Sequence, residues 1–330
     1  IAEAAFDIDA AAEWHGSAVA AAPGDSAALD ARARVAVLQL DEAAAAAALR
    51  RQAEAEASLR RTRRLPHAPS QTLTGQVALE FRLDRTAARA LPGLLVLPPA
   101  DRIAPLSALV AASPGSTAAA FWLLVSLRQA GMLDAPPPGD TPIPPRVLWT
   151  GGRGTEGLRD SWAAADPSHP VLGFDTPREA SAFLAAQFGE AGTAAWRRAG
   201  NEEVRAELLR ICWLATVGGW APAADTLPVA PLSVLGAGGA GFVAGQGAWG
   251  ASARTLIGAA PGNPVIAHAA RELVTALARG DRDVPWLRCG PGFLARALAH
   301  VIAVRGVAGA SVFLPPEHHL SRAVVAGCIA

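Results

Sequence analysis

The first 134 residues carry apolar positions at helical spacing almost without a break. Residues 25–64, "DSAALDARARVAVLQLDEAAAAAALRRQAEAEASLRRTRR", are rich in Ala, Leu and Arg, a composition of high helix propensity. "AAAPGDSAALDARARVAVL" and "VAASPGSTAAAFWLLVSLRQAG" follow one scheme. A helix end of small residues meets Pro-Gly, then an Asp, Ser or Thr cap, then an amphipathic helix. "LDAPPPGDTPIPPR", residues 133–146, breaks this pattern, because consecutive prolines forbid helix and favour extended backbone.

Beyond it the pattern alternates. "RVLWT" (146–150) and "PVLGF" (170–174) read as short buried strands, and "SVFLP" as a late one. Between them lie segments with helix punctuation. "TPREASAFLAAQFG" has Thr176 and Glu179 at capping-box spacing and Pro177 in the first turn. "NEEVRAELLRICWLATVGG" has Asn201 as cap, acids in the first turn and Gly218 as stop. "NPVIAHAARELVTALARG" repeats the formula with Asn263, Pro264 and Gly280, and "GPGFLARALAHVIAVRG" is a further helix. The expectation is an α/β layer structure preceded by an all-α domain: a helical domain at 1–134, a Pro-rich linker at 135–142 and an α/β domain at 143–330.

Composition narrows the function classes. Hydrophobic residues make up 51% of the 330 and charged residues 18%, with net charge zero, so the chain can build a large core. Nothing marks a nucleic-acid partner. Every basic residue is Arg, and Tyr is absent, which reads as GC-rich codon usage. Cys212, Cys289 and Cys328 are scattered and odd in number, against a disulfide framework or zinc site. A reducing, cytoplasmic setting is the expectation. The Arg- and Ala-rich run at 45–64 suits either the inner face of a membrane or a solvated helix face. The N-terminus lacks the pattern of a signal peptide. It also lacks a starting Met, which leaves a fragment as an open reading, as does the stop at Ala330.

"GAGGAG", Gly236–Gly241, fits G-x-G-x-x-G after the strand-like "LSVL". The residues after Gly241 are too Gly-rich for the helix a dinucleotide fold requires, and no acid comes before Glu272, so a Gly-rich loop or hairpin is expected. No G-x-S-x-G elbow exists for a hydrolase. His318 and His319 are expected to be solvated rather than metal ligands. The unusual feature is Asp225, the only charge between Ile211 and Ala253.

The helical half loosely resembles tetratricopeptide repeats, where stacked helix pairs share a core. A helical bundle without repeats fits equally well, and either form offers a surface for a protein partner. The second half carries a more ordered likeness. "RAELLRICWLATVGGWAPAADTLPVAPL" resembles the core of the glycosyltransferases with a DXD sugar-binding region, whose pattern is R-A-D-L-L-R, an apolar stretch, then G-G-x-Y-x-D-x-D. That family includes yeast initiating mannosyltransferases, bacterial capsular polysaccharide transferases and clostridial glucosylating toxins. "IPPRVLWTGG" is similar to its first strand, and "SWAAADPSHPVLGFDTPREASAFLAAQFG" to its S-W-x-x-x-N-P segment. "GAAPGNPVIAHAARELV" and "CGPGFLARAL" are similar to segments of the bacterial members.

The resemblance implies a GT-A fold, a UDP- or GDP-sugar donor, a divalent cation (Mn²⁺ or Mg²⁺), and a glycan, lipid or protein acceptor. It implies that Trp149 stacks on the nucleotide base and that Arg205 and Arg210 belong to the donor-binding set. Glu207 stands where the family has an Asp that binds sugar hydroxyls. Gly218 and Gly219 let the chain approach the sheet, and Asp225 reaches metal and diphosphate. Ala221 and Ala223 occupy the Tyr and first Asp positions, so the motif is half present. A transferase and a degenerate relative acting as a binding module are both open on these residues.

Overall fold

The computed structural model describes residues 5–62, 72–139, 142–150, 156–247, 249–250 and 252–326. The chain divides into two compact units, Ile1–Ala130 and Gly131–Ala330.

The described residues of the first unit form helices α1 (Ile8–Ala21), α2 (Ser26–Leu38), α3 (Glu42–Thr62), α4 (Leu73–Leu83), α5 (Arg85–Leu95), α6 (Pro99–Ala112) and α7 (Thr117–Gln129). Their starts follow from short polar side chains that accept the first free backbone N–H groups. Asp7, Asp25, Thr72, Asp84 and Ser116 cap α1, α2, α4, α5 and α7. Asp84 also accepts from the Ser116 hydroxyl, so one carboxylate ties two helix starts together. Successive helices pack as neighbours, α1 on α2, α2 on α3 and α6 on α7. The run Thr117–Arg128 is buried on all sides, which makes α7 the centre of the unit; its three consecutive alanines let neighbouring helices come close.

The second unit is a mixed α/β layer. Its strands are β1 (Val147–Trp149), β2 (Val171–Gly173), β3 (Gly219–Pro222), β4 (Thr226–Pro228), β5 (Phe242–Gln246), β6 (Ser252–Ala259), β7 (Val312–Phe313) and β8 (Val324–Ala326). The main sheet has the order β2-β1-β3-β6-β5-β7, and β4 pairs with β8 in a small second sheet. β1 is parallel to β2 and β3, and β5 to β7, whereas β6 runs antiparallel to β3 and β5. Helices α8 (Glu156–Ala165), α9 (Pro177–Arg198), α10 (Glu202–Thr216), α11 (Pro264–Arg279), α12 (Pro285–Arg288), α13 (Pro291–Ala310) and α14 (Glu317–Leu320) complete it.

The capping signals act as the chemistry requires. Thr176 Oγ1 accepts from Glu179 N–H at 3.2 Å, while Glu179 Oε2 reaches back to Asp175 N–H at 3.0 Å. Asn201 and Asn263 cap α10 and α11, and Gly280 ends α11 in the left-handed region.

Several expectations need correction. "LSVL" is not a strand but a 3₁₀ turn, Leu232–Leu235; Pro231 before it and the left-handed Gly236 after it leave it one turn long. The Gly-rich string beyond it is a loop into β5, and β5 and β6 form a hairpin there. Within residues 135–139, Gly139 lies so close to Gly239 that neither has room for a Cβ. Asp225 sits in the turn after β3. His319 is half-buried, with Nε2 at 3.0 Å from the Leu235 carbonyl oxygen and its ring edge-on to Phe313; only His318 is exposed. Pro285–Ala310 is long and apolar enough to cross a membrane, and half of its most apolar window is buried within the protein, where α13 packs on α11 and β6.

α11 and α13 meet at a pair of imidazoles. His268 and His300 stack with centroids 4.8 Å apart and planes 27° apart. Burial chiefly, then the charge of His300, hold His268 below the ordinary histidine pKa; Glu272 opposes this and Arg271 adds to it. A depressed histidine binds protons more readily when unfolded, so stability is complete above the unfolded pKa and falls as pH drops below it. Urea unfolding is expected to show a stability flat above about pH 6.5 and declining below it. His268→Gln should flatten that decline; an unchanged slope would locate the proton uptake elsewhere.

Candidate functional site

The carboxyl ends of β1 and β3 lie side by side. Val147 is opposite Trp220 in register, so both chains leave the sheet on the same edge. From β1 the chain runs through α8 to β2 on one side, and from β3 it runs on toward the strands of the other side. In open α/β sheets the crevice at such a reversal is where ligands bind.

Gly218 and Gly219 bring the chain into this position. Their φ angles are +73° and +116°, outside the range L side chains adopt readily. A Cβ on Gly218 would stand 2.6 Å from Pro261 Cδ, and one on Gly219 2.6 Å from Arg146 Cγ. The Gly pair therefore permits both the sharp exit from α10 and the close approach of β3 to β1 and β6.

Glu207 and Arg210 lie beneath β3. They are 6% and 1% exposed and face each other at 3.4 Å on one side of α10, the face that an i, i+3 pair shares. Arg210 donates from Nε (3.0 Å) and Nη2 (2.6 Å) to the carbonyl oxygen of Ala221. A guanidinium and a carbonyl so paired in a dry interior act as a clamp on the strand. Sequence spacing alone leaves this pair readable as a surface ion pair; only the packing of α10 shows it to be core. Arg205 points away, its guanidinium 5.0 Å from the centre of the Trp196 ring on α9.

Past the clamp the chain enters the turn that bears Asp225. Ala223 and Thr226, on either side of the turn, are hydrogen-bonded. Ala223 N–H donates to the Thr255 carbonyl at 2.9 Å, and Thr226 N–H to the Ala223 carbonyl at 3.0 Å. Thr226 Oγ1 also donates to Thr255 O at 3.2 Å. Trp162 of α8, 1% exposed, donates from its indole Nε1 to the Thr226 carbonyl at 3.0 Å. Asp225 itself is exposed. The arrangement is an exposed carboxylate on a hydrogen-bonded turn, at the strand-end edge.

Trp149 ends β1 on the same edge but is 6% exposed, packed in a cluster with Val147, Trp162, Trp220 and Val243. A base stacking on it would have only that small open portion to reach.

Trp162 and Asp166 are structural parts of the site to which sequence alone assigns no role, although the S-W-x-x-x segment contains both. Asp166, 6% exposed, accepts from Leu232 N–H (3.1 Å) and Ser168 Oγ (2.6 Å), with His169 Nδ1 at 3.0 Å. Burial raises its pKa, but the bonds from Ser168, Leu232 and His169 outweigh burial and hold it below the usual carboxylate range. It anchors the 3₁₀ turn to the end of α8.

Asp225 does not make a metal centre by itself. Among the described residues no group of three or more His, Cys, Asp or Glu side chains is placed to hold a metal ion. Cys212 and Cys289 are buried and form no disulfide with each other, and burial pushes the Cys212 thiol well above its ordinary pKa, which disfavours Cys212 as a thiolate donor. Cys328 lies outside the described residues.

No family model matches the chain, and no curated protein matches it. Among solved structures, one titled "PaToxG Glycosyltransferase" is similar at 16% identity and a TM-score of 0.35, over 56% of this chain and 79% of that one. A likeness this loose does not assign a fold.

Proposed function

We propose that the second unit binds a nucleotide-sugar donor at the carboxyl ends of β1 and β3 and transfers the sugar to an acceptor. The observation that carries this reading is Asp225: an exposed acid on a turn whose backbone is bonded to β6 and to Trp162, beside the sheet's point of reversal. An isolated surface acid needs no such support.

In this reading the donor-contacting role falls to Asp225, with the open edge of Trp149 toward the base. Glu207 and Arg210 are positioning residues that act through the Ala221 carbonyl, and Arg205 lends rigidity between α9 and α10. Asp225 carries the same charge sign as a diphosphate, so it favours the donor only through a cation that the phosphate oxygens and water help to hold. The described residues do not by themselves supply that cation's shell.

A second reading is favoured by the burial of Glu207 and Arg210. If these residues serve only the fold, the site keeps a transferase frame without its chemistry, and the helical unit (tetratricopeptide-like or a plain bundle) acts as the binding module.

Calorimetric titration of UDP, GDP and their sugars, each with and without Mn²⁺, decides between them. The expected result is Mn²⁺-dependent binding of one nucleotide, weakened roughly tenfold or more in Asp225→Asn. Since Asp225 is exposed, this variant should keep the wild-type melting temperature. Equal binding by the variant would overturn the role of Asp225, and a flat response across the panel would favour the second reading.

A further inference from the structure

We infer that the helical unit holds a binding site for an α-carboxylate with an adjacent N–H donor, that is, a free amino acid or the carboxyl end of a peptide. The site is a cavity of about 530 Å³ formed by the start of α1, the end of α2, the end of α5, the first turn of α6 and the middle and end of α7. Its size suits a small ligand. This inference stands apart from the nucleotide-sugar reading, which concerns the other unit.

The chemistry comes from one buried cation and its surroundings. Arg102 lines the cavity and is 8% exposed. Its guanidinium lies 5.8 Å from the centre of the Trp122 ring, and among the described residues it meets no carboxylate. Arg102 Nε, Trp122 Nε1 and Gln129 Oε1 are all buried without a hydrogen-bond partner, and all three residues line this cavity. Buried polar atoms without partners are rare in native proteins, and a buried cation without an anion is costly. Two donors and one acceptor concentrated at one cavity match a ligand with an oxyanion and a nearby N–H.

The acids at the cavity set the ligand's other end. Asp7 and Asp9 also line it. Both are engaged: Asp7 Oδ1 accepts from Ala10 N–H at 3.1 Å, and Asp9 Oδ1 from Gln39 Nε2 at 3.2 Å. Their charge disfavours a purely anionic ligand and favours one with a donor or cationic group beside its carboxylate. Phe6, Ile8, Leu38 and Leu95 add an apolar wall, suited to an aliphatic side chain. Phe6 holds φ at +53°, a costly conformation for a bulky residue. Its carbonyl accepts from Gln129 Nε2 at 2.7 Å, so Gln129 ties this strained residue to the cavity.

The test is calorimetry on the full chain with three probes. Leucine carries both charges, N-acetyl-leucine keeps the carboxylate and an amide N–H, and leucinamide lacks the carboxylate. Leucine or N-acetyl-leucine should bind and leucinamide should not. Preference for leucine identifies a free amino acid as the source, and preference for N-acetyl-leucine a peptide terminus. Arg102→Gln should lose roughly tenfold or more in affinity. Asp9→Asn, which keeps the bond from Gln39, should tighten N-acetyl-leucine binding. Binding of leucinamide as tight as leucine, undiminished binding in Arg102→Gln, or no binding of any probe at millimolar concentration would overturn the proposal. Should Arg102→Gln fail to fold, the wild-type comparison of N-acetyl-leucine with leucinamide still decides.

Discussion

Arg210→Met is expected to lower the unfolding free energy by about 3–5 kcal/mol, the range for breaking a buried pair by removing one partner. The methionine fills much of the volume, so the loss comes from electrostatics. Glu207, 6% exposed, keeps its carboxylate in a dry site, and the Ala221 carbonyl loses both guanidinium bonds. The double variant Glu207→Gln with Arg210→Met should recover a substantial part of that loss, because it removes the buried charge that has lost Arg210. Urea midpoints for the four corners of the cycle measure this. If Arg210→Met costs less than about 1 kcal/mol, the pair is not the dry clamp its geometry describes. Nucleotide binding adds a second readout. A clamp that acts through β3 should, when lost, weaken binding even under conditions where the variant is fully folded.

Trp162→Ala is expected to cost about 3–5 kcal/mol, as for other large aromatic truncations in a core. The indole is 1% exposed and belongs to the cluster that joins β1, β3, β5 and the β4–β8 pair. Trp162→Phe separates packing from polarity. It keeps most of the apolar contact but leaves the Thr226 carbonyl without the indole N–H, a loss of about 1–3 kcal/mol for an unsatisfied buried acceptor. Thermal and urea unfolding of both variants should therefore rank wild type above Phe and Phe above Ala. A Phe variant as stable as wild type would mean that water or a shifted turn replaces the bond. The same variant should loosen the turn that carries Asp225, so a parallel drop in nucleotide affinity ties the structural bond to the proposed site.

Local chemistry made much of this protein legible from its sequence. The starts of α2, α7, α9, α10 and α11 were marked by Asp25, Ser116, Thr176, Asn201 and Asn263, because a cap satisfies backbone groups within three residues and needs no distant partner. The strands at 147–149, 171–173 and 312–313 showed as short apolar runs between turn residues, but 171–173 is an exposed edge strand rather than the buried one expected. Gly218 marked the stop of α10, and its positive φ agrees. Asp225 stood out because no other charge lies near it in sequence.

What only the tertiary structure decided depends on contacts between residues far apart in the chain. Glu207 and Arg210 have the same spacing in a solvated pair as in a buried one; the sheet above α10 makes them a clamp. "LSVL" has the apolar character of a strand, but Asp166, distant in sequence, holds Leu232 N–H in a 3₁₀ turn. The β4–β8 pairing joins Thr226–Pro228 to Val324–Ala326, a partnership no local pattern encodes. Nothing in "PADRIAPL" marks Arg102 as buried. Its burial over Trp122 arises only when α6 and α7 pack, since side-chain desolvation belongs to the assembled interior and not to any stretch of sequence.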